Sequence, residues 1–350
     1  MDFIRITKRD NLSRKKEILI TLLAIVLSIV FAGIILLIFG LNPFEIFKEI
    51  IMGSVGTGLR VKQTIVKAVP LIITSMGIIV AFKMKFWNIG AEGQITMGAL
   101  GASWVALNLS PNLPQPVMLL LMMVGAAFIP AIFKAKLGTN ETIFTLMMNY
   151  VAIKFVTYLQ YGPWMDPAAN GFPKIAMFPG NAVIPKLGGV NIGWILAILA
   201  AAFVYFFMNY TKKGYEITVV GESIETARYA GMNISRIIVV AMLISGGLCG
   251  ITGMIQASAI EKTLVYGIAN GYGFTAIITA WLSKLNAGYA VAVCAVFAML
   301  IQGGQYIQIA LGVPSAVSDI VQGLILFFVL GSEFFMRYRV HIGRNSKEVA

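Results

Sequence analysis

An all-α polytopic membrane protein of about ten transmembrane helices, with both termini cytoplasmic, is what the sequence predicts, on three observations. Hydrophobic residues occupy 58% of the 350 positions and charged residues only 12%, where a soluble domain carries about 25% charge. Stretches without Asp, Glu, Lys or Arg cover 18–44, 94–133, 187–211, 237–260, 263–283 and 285–318. Each holds at least one span of about 20 residues, and 94–133 and 285–318 hold two if broken. The basic residues lie between these stretches with a strong bias to one side of the membrane.

The first span is placed at 18–40, behind a basic cytoplasmic amino terminus, 1–17. A signal peptide is the alternative, but the apolar run from Ile18 to Gly40 is longer than a signal core and lacks a small-x-small cleavage site. Residues 42–62 mix charges with Gly53, Gly56 and Gly58, the pattern of a short interfacial helix followed by a flexible turn. Spans two to five are placed at 63–82, 94–110, 115–133 and 141–160. The outer connection 161–190 carries Pro163, Pro167, Pro173, Pro179 and Pro185 with Trp164 and Phe172. Such a rigid aromatic loop suits docking of another protein, with a cap over the helix ends as the alternative.

The sixth span, 191–209, leads into the longest polar connection on the inner side, 211–236. Within it Glu222-Ser-Ile-Glu-Thr-Ala-Arg-Tyr-Ala-Gly231 reads as a short helix, with acidic residues in its first turn, Arg228 near its end and Gly231 as its stop. Ile224, Ala227 and Ala230 or Gly231 recur at helical spacing and make a small apolar face, for a partner or for packing on the chain itself. The remaining spans are 237–258, 272–283, 287–303 and 315–332, followed by a cytoplasmic tail, 333–350. With the amino terminus inside, 19 of the 27 Lys and Arg fall on the inner side and 7 outside or at the outer interface, Lys154 lying within a span. The whole chain, 1–350, reads as one transmembrane domain.

The charge of +12 does not indicate nucleic acid, because the basic residues are dispersed between apolar segments instead of gathered on one soluble face. Enzyme chemistry lacks its residues. The sole histidine, His341, lies in the basic tail, so the membrane region can build neither a metal site nor a Ser-His-Asp arrangement. Cys249 and Cys294 both fall within spans and form no spaced motif. Gly53-Ser-Val-Gly-Thr-Gly58 has the glycine spacing of a phosphate loop but continues Leu59-Arg60 in place of Lys-Ser/Thr. The chain therefore hydrolyses no ATP by itself and binds no cofactor or metal of its own.

Polar groups at membrane depth are the remaining candidates, since an ionisable residue at mid-span costs roughly 2.5–3.5 kcal/mol. Glu92 stands between Gly90 and Gly93 with Asn88 and Gln94 nearby, so irregular backbone and hydrogen-bonding side chains converge. Neutralising Lys83 or Lys85 is its alternative role. Asn149 and Tyr150 in the fifth span either face a pathway or bond between helices. Gln302, Gln305 and Gln308 step along the ninth span, lining an exit or capping that span. A weak echo links Trp87-Asn-Ile-Gly-Ala-Glu-Gly-Gln94 with Ile268-Ala-Asn-Gly-Tyr-Gly-Phe274, which includes Asn270. It fits an inverted-topology repeat of spans two to five and seven to ten, interrupted at these two places; chance similarity of two Gly/Asn loops is the alternative. Asn88, Glu92, Gln94, Asn149, Asn270 and Gln302 are the candidate substrate-pathway residues.

Phe86-Trp-Asn-Ile-Gly-Ala-Glu-Gly-Gln94, Glu141-Thr-Ile-Phe-Thr-Leu-Met-Met-Asn-Tyr150 and Gly221-Glu-Ser-Ile-Glu-Thr-Ala-Arg-Tyr-Ala-Gly-Met-Asn233, in this order and spacing, resemble the permease subunits of binding-protein-dependent ABC importers. The likeness extends over most of the chain and is nearest to the nucleoside-type branch of the ribose and branched-chain amino-acid permeases. It implies a second permease subunit, identical or not, a cytoplasmic ABC ATPase that binds ATP and Mg, and an extracytoplasmic substrate-binding lipoprotein. It further implies a multi-pass place in a bacterial cytoplasmic membrane and a coupling segment in which Glu222, Glu225, Ala227, Arg228 and Gly231 meet the ATPase. Two departures stand out. Thr226-Ala227 replaces the family's usual paired alanines, and Trp281-Leu-Ser-Lys284 replaces a more glycine-rich stretch. Nucleoside import is the expected function, with a simple-sugar permease next. An ion-coupled secondary transporter and a receptor without transport are the readings from other classes.

Overall fold

The computed structural model describes residues 4–8, 13–109, 112–134, 141–314 and 316–342. Parts of the two basic tails, 1–3, 9–12 and 343–350, lie outside them. In chain order the elements are β1 (Ile4–Lys8), α1 (Arg14–Ile38), α2 (Pro43–Val55), α3 (Gly58–Lys83), α4 (Ala91–Asn108), α5 (Gln115–Lys134) and α6 (Glu141–Tyr161). There follow β2 (Lys186–Leu187), β3 (Val190–Asn191), α7 (Gly193–Tyr210), α8 (Lys212–Glu222), α9 (Ile224–Tyr229), α10 (Ile234–Ile255), α11 (Tyr272–Leu282), α12 (Ala287–Leu311), α13 (Ala316–Arg337) and β4 (Tyr338–Ile342). They pack as two compact units, Met1–Thr57 with Met299–Ala350, and Gly58–Ala298.

In the first unit α1 packs along α13, with Phe31 and Phe328 in ring contact at 5.7 Å. Gly40 turns the chain at φ +73°, and Asn42 starts α2 by accepting from the Phe44 amide at 3.1 Å. Pro43 at the first helical position suits this start, where an N–H would lack a partner anyway. This is the short helix expected within 42–62, and it leaves α1 at an angle of 116°. Leu36, Ile46, Ile50, Ile307, Val313 and Val317 form the core of the unit. The ninth expected span ends at 303, whereas α12 continues to Leu311. Gly303 looks like a break in the sequence but serves close packing, because a Cβ there would strike the Ile50 backbone.

Two short sheets modify the all-α expectation. β1 pairs antiparallel with β4, Ile4 opposite Ile342 and Lys8 opposite Tyr338, so the two ends of the chain meet on one side. β2 and β3, of two residues each, pair as a hairpin in the connection between α6 and α7. Strands this short give no readable alternation in sequence.

The second unit is built around α3, whose Leu71, Ile73, Met76, Ile78, Val80 and Ala81 are fully buried. α10 crosses α3, α4 and α5. These crossings are tight because small residues meet: Gly98 of α4 lies against the Gly250 backbone, and Gly253 against the Ile95 carbonyl, leaving no room for a Cβ. Lipid supplies no hydrophobic drive between helices, so backbone approach of this kind is what holds them. By contrast α6 and α7 are mostly exposed and apolar, with Met147, Tyr158, Leu199 and Phe206 among the outward side chains.

Two expected boundaries change. The 211–236 connection holds two helices, α8 and a shorter α9, in place of one over 222–231. The seventh span ends in a π-helical stretch, Gln256–Glu261. α11 has 11 residues, rising about 16 Å, close to half of a ~30 Å hydrocarbon core. Among the described residues five helices are long and apolar enough to cross a membrane, or six if the bent pair of α1 and α2 counts as one.

Candidate functional site

The site grows from the break between α3 and α4. α3 ends at Lys83, Lys85 takes a left-handed φ of 55°, and the chain runs irregularly to Gly90 before α4 begins. Irregular backbone inside a membrane fold needs partners for its N–H and C=O groups. Side chains provide them here. Asn88, fully buried, accepts from the Gly90 amide at 3.0 Å and donates to Gln94 Oε1 and Ser245 Oγ, each at 3.2 Å. Asn149 of α6 donates to the Ile89 carbonyl at 2.9 Å and accepts from the Gly93 amide at 2.7 Å. Thr145, one turn earlier on α6, accepts from the Ile89 amide at 3.2 Å.

Glu92 points the other way, to the start of α11. Its Oε1 accepts from the Gly271 amide at 2.7 Å and its Oε2 from the Gly273 amide at 2.8 Å, with the residue 6% exposed. The carboxylate thus occupies the positive end of α11 while sitting in the first turn of α4, where the helix dipole also favours an anion. Lys83 and Lys85 make no ion pair with it. Gly273 packs directly on the Glu92 backbone, leaving no room there for a Cβ.

At its other end α11 meets the same irregular stretch through aromatic rings. Trp87 stacks on Trp281 at 5.4 Å, and Phe82 tilts onto both, at 5.4 Å and 5.9 Å. Between these contacts Ser75 of α3 bonds to the Ala276 carbonyl and to the Thr279 hydroxyl. α11 therefore runs beside the second half of α3, held at both ends by 87–92, and its amino terminus lies near the middle of α3.

Asn270 precedes α11 in a left-handed conformation, φ 51°, between Gly267 and Gly271 at φ 71° and 76°, and is exposed. The segment before it is tied to the connection between α6 and α7: the Phe178 amide donates to the Lys262 carbonyl at 2.8 Å and Thr263 to the Ile175 carbonyl at 2.9 Å. Gln160, at the end of α6, donates to the Pro173 carbonyl and accepts from the Tyr266 amide. Of the six candidates, the structure brings Asn88, Glu92, Gln94 and Asn149 together with Asn270 close to the Glu92 end. Gln302 is buried in α12 in the other unit. Gly271, Gly273, Thr145 and Ser245 are the partners that sequence reading missed, the two glycines because they act through backbone amides, which leave no pattern in sequence.

The expected coupling segment is well formed. Ser223 caps α9 by accepting from the Thr226 amide at 3.2 Å, and Gly231, at φ 72°, closes it with its amide on the Arg228 carbonyl at 3.0 Å. Glu222, Glu225, Arg228 and Gly231 are exposed. Ala227 is fully buried, so Ile224 and Ala227 do not share one outward face. Tyr229, at 97% exposure, is the outward aromatic instead.

Residues 60–330 match the family described as branched-chain amino acid transport system, permease component. The glucose ABC transporter permease protein TsgB13 of Haloferax volcanii is 33% identical over 91% of this chain and 89% of its own length. The guanosine ABC transporter permease protein NupP of Bacillus subtilis is 31% identical over 91% of the chain and 94% of its own. The nucleoside ABC transporter permease protein NupB of Lactococcus lactis is 29% identical over 91% and 92%.

Proposed function

We propose that this chain, which belongs to the family of branched-chain amino acid transport permease components, imports nucleosides as the membrane-spanning subunit of an ATP-driven transporter. The observation that carries the substrate is the pair of relatives named for guanosine and nucleoside, each aligned over 91% of the chain. The Haloferax glucose permease, at 33% identity, favours a sugar as the second reading. Uptake of labelled guanosine and labelled glucose by vesicles holding the chain with its ATPase and binding protein decides between them.

In this reading α1, α3 to α7 and α10 to α13 are ten membrane segments, with α2 outside and α8 and α9 inside. An even number agrees with the pairing of β1 and β4, and the excess of basic residues puts both ends in the cytoplasm of a bacterial cell. α4 and α11 hold equivalent places in an inverted repeat of α3–α6 and α10–α13, and their amino termini meet at Glu92. The pathway passes this junction: Asn88, Glu92, Gln94 and Asn149 keep the broken backbone in shape, and Asn270 offers its side chain beside it. Arg228, Tyr229 and their neighbours dock on the ATPase, which binds ATP and Mg; the outer connection receives the lipoprotein; and a second permease subunit completes the pathway.

A further inference from the structure

Three cavities of about 480, 310 and 290 Å³ follow one another beside α7 in the second unit. The first two share Ile72, Ala197 and Ile198, and the last two share Ala287, so they form one groove. Along α3 and α7 its walls are apolar, and Ala197, Ala201, Ala202 and Gly288 among them leave the space open. The last cavity is different in kind, being lined by Lys83, Asn209, Tyr215, Thr218 and Asn286.

The polar end is equipped with donors. Among the described residues neither the Lys83 ammonium nor the Tyr215 hydroxyl has a side-chain partner. Asn286 spends its oxygen on the Gly288 amide at 2.9 Å, capping α12, which leaves its N–H groups for a ligand. The first turns of α8 and α12 both border the cavity and add the positive ends of two helix dipoles. A cation, amide and hydroxyl donors and two helix starts around one space call for an anion of phosphate type.

The groove sets what that phosphate is attached to. From Asn209 to Ile198 α7 rises about 16 Å, the depth of one leaflet of a ~30 Å core. We infer that the groove holds an anionic phospholipid of the inner leaflet, its phosphate at Lys83, Tyr215 and Asn286 and its acyl chains along Ala197–Ala202 and Gly288. This rests on the cytoplasmic placement of the 211–236 connection and not on the identity of the transported substrate. Basic pockets between membrane helices on that side are suited to such headgroups.

The test is native mass spectrometry of the full-length chain purified in detergent and offered phosphatidylglycerol or phosphatidylcholine. Phosphatidylglycerol is expected to be retained in preference. Lys83→Gln is expected to weaken it about fivefold, the worth of one cation at the surface, and to leave phosphatidylcholine unchanged. Tyr215→Phe gives the same readout with minimal disturbance if Lys83→Gln fails to fold, and Ala202→Trp, which fills the groove, is expected to lower retention of both lipids. Equal retention of phosphatidylglycerol by wild type and Lys83→Gln would overturn the inference. So would displacement of the lipid by millimolar inorganic phosphate, which would make this a soluble-anion site. Loss of dimers without loss of lipid in Ala202→Trp would overturn it too, by giving the groove to a second copy.

Discussion

The Glu92 carboxylate accepts the Gly271 amide at 2.7 Å across 179 residues of chain, joining the first turn of α4 to the start of α11. One acidic side chain thus serves two helix ends at the point where both helices start from irregular backbone. Removing it by Glu92→Ala leaves the buried amide of Gly273 and the part-buried amide of Gly271 unpaired, at about 1–3 kcal/mol for the buried one and less for the other. The expected outcome is a lower thermal transition of the detergent-purified protein, with Glu92→Gln, which keeps one acceptor, falling between the variant and wild type.

Asn149 holds both sides of the α3–α4 break, so Asn149→Asp and Asn149→Ala should separate its two bonds. The aspartate keeps an acceptor for the Gly93 amide but gives up the donor to the Ile89 carbonyl. The aspartate also sets a carboxylate oxygen against the Ile89 carbonyl at a position 1% exposed, where an ionised group costs roughly 2.5–3.5 kcal/mol, so stability should fall in the order wild type, Ala, Asp, with Ala about 1–3 kcal/mol below wild type. An aspartate variant as stable as wild type would remove the Ile89 bond from the account.

Gly98→Val should prevent accumulation of folded protein, because the Gly250 backbone occupies the space a side chain needs. Gly58→Ala, with open space around it and no positive φ, is the matched control and should be neutral. Membrane expression followed by gel filtration distinguishes them.

In the proposed coupling segment Tyr229→Ala should leave the thermal transition of the permease alone, since the ring is 97% exposed, yet reduce co-purification of the ATPase. Exposed aromatics that anchor an interface are commonly its dominant residues. Gly231→Ala should cost about 1–2 kcal/mol from its left-handed backbone and loosen the end of α9. Full ATPase recovery with Tyr229→Ala would place the interface elsewhere.

Much of this architecture is legible in the chain. Apolar runs located the helices, the Gly-flanked Glu92 marked the break, and bonding between helices was one of the two roles read for Asn149. The roles of those residues were not legible, because Gly271 and Gly273 take part through backbone amides and Gly/Asn loops of that kind are common. α8 escaped notice because Lys212 and Lys213 read as flanking charge, although Glu216 pairs with Lys213 at 2.7 Å inside the helix. The Gly303 position looked like a span end until its contact with Ile50 was seen. Ala227 fitted an apolar stripe by spacing, yet a helix of 6 residues is too short to set which stripe faces its own chain.

Labelled guanosine uptake into vesicles holding this chain, its ATPase and its binding protein tests the central claim most directly. Uptake should require internal ATP, persist when ion gradients are collapsed, exceed glucose uptake, and fail with Tyr229→Ala. Uptake that survives ATP depletion and stops when the ion gradient is dissipated would contradict the account.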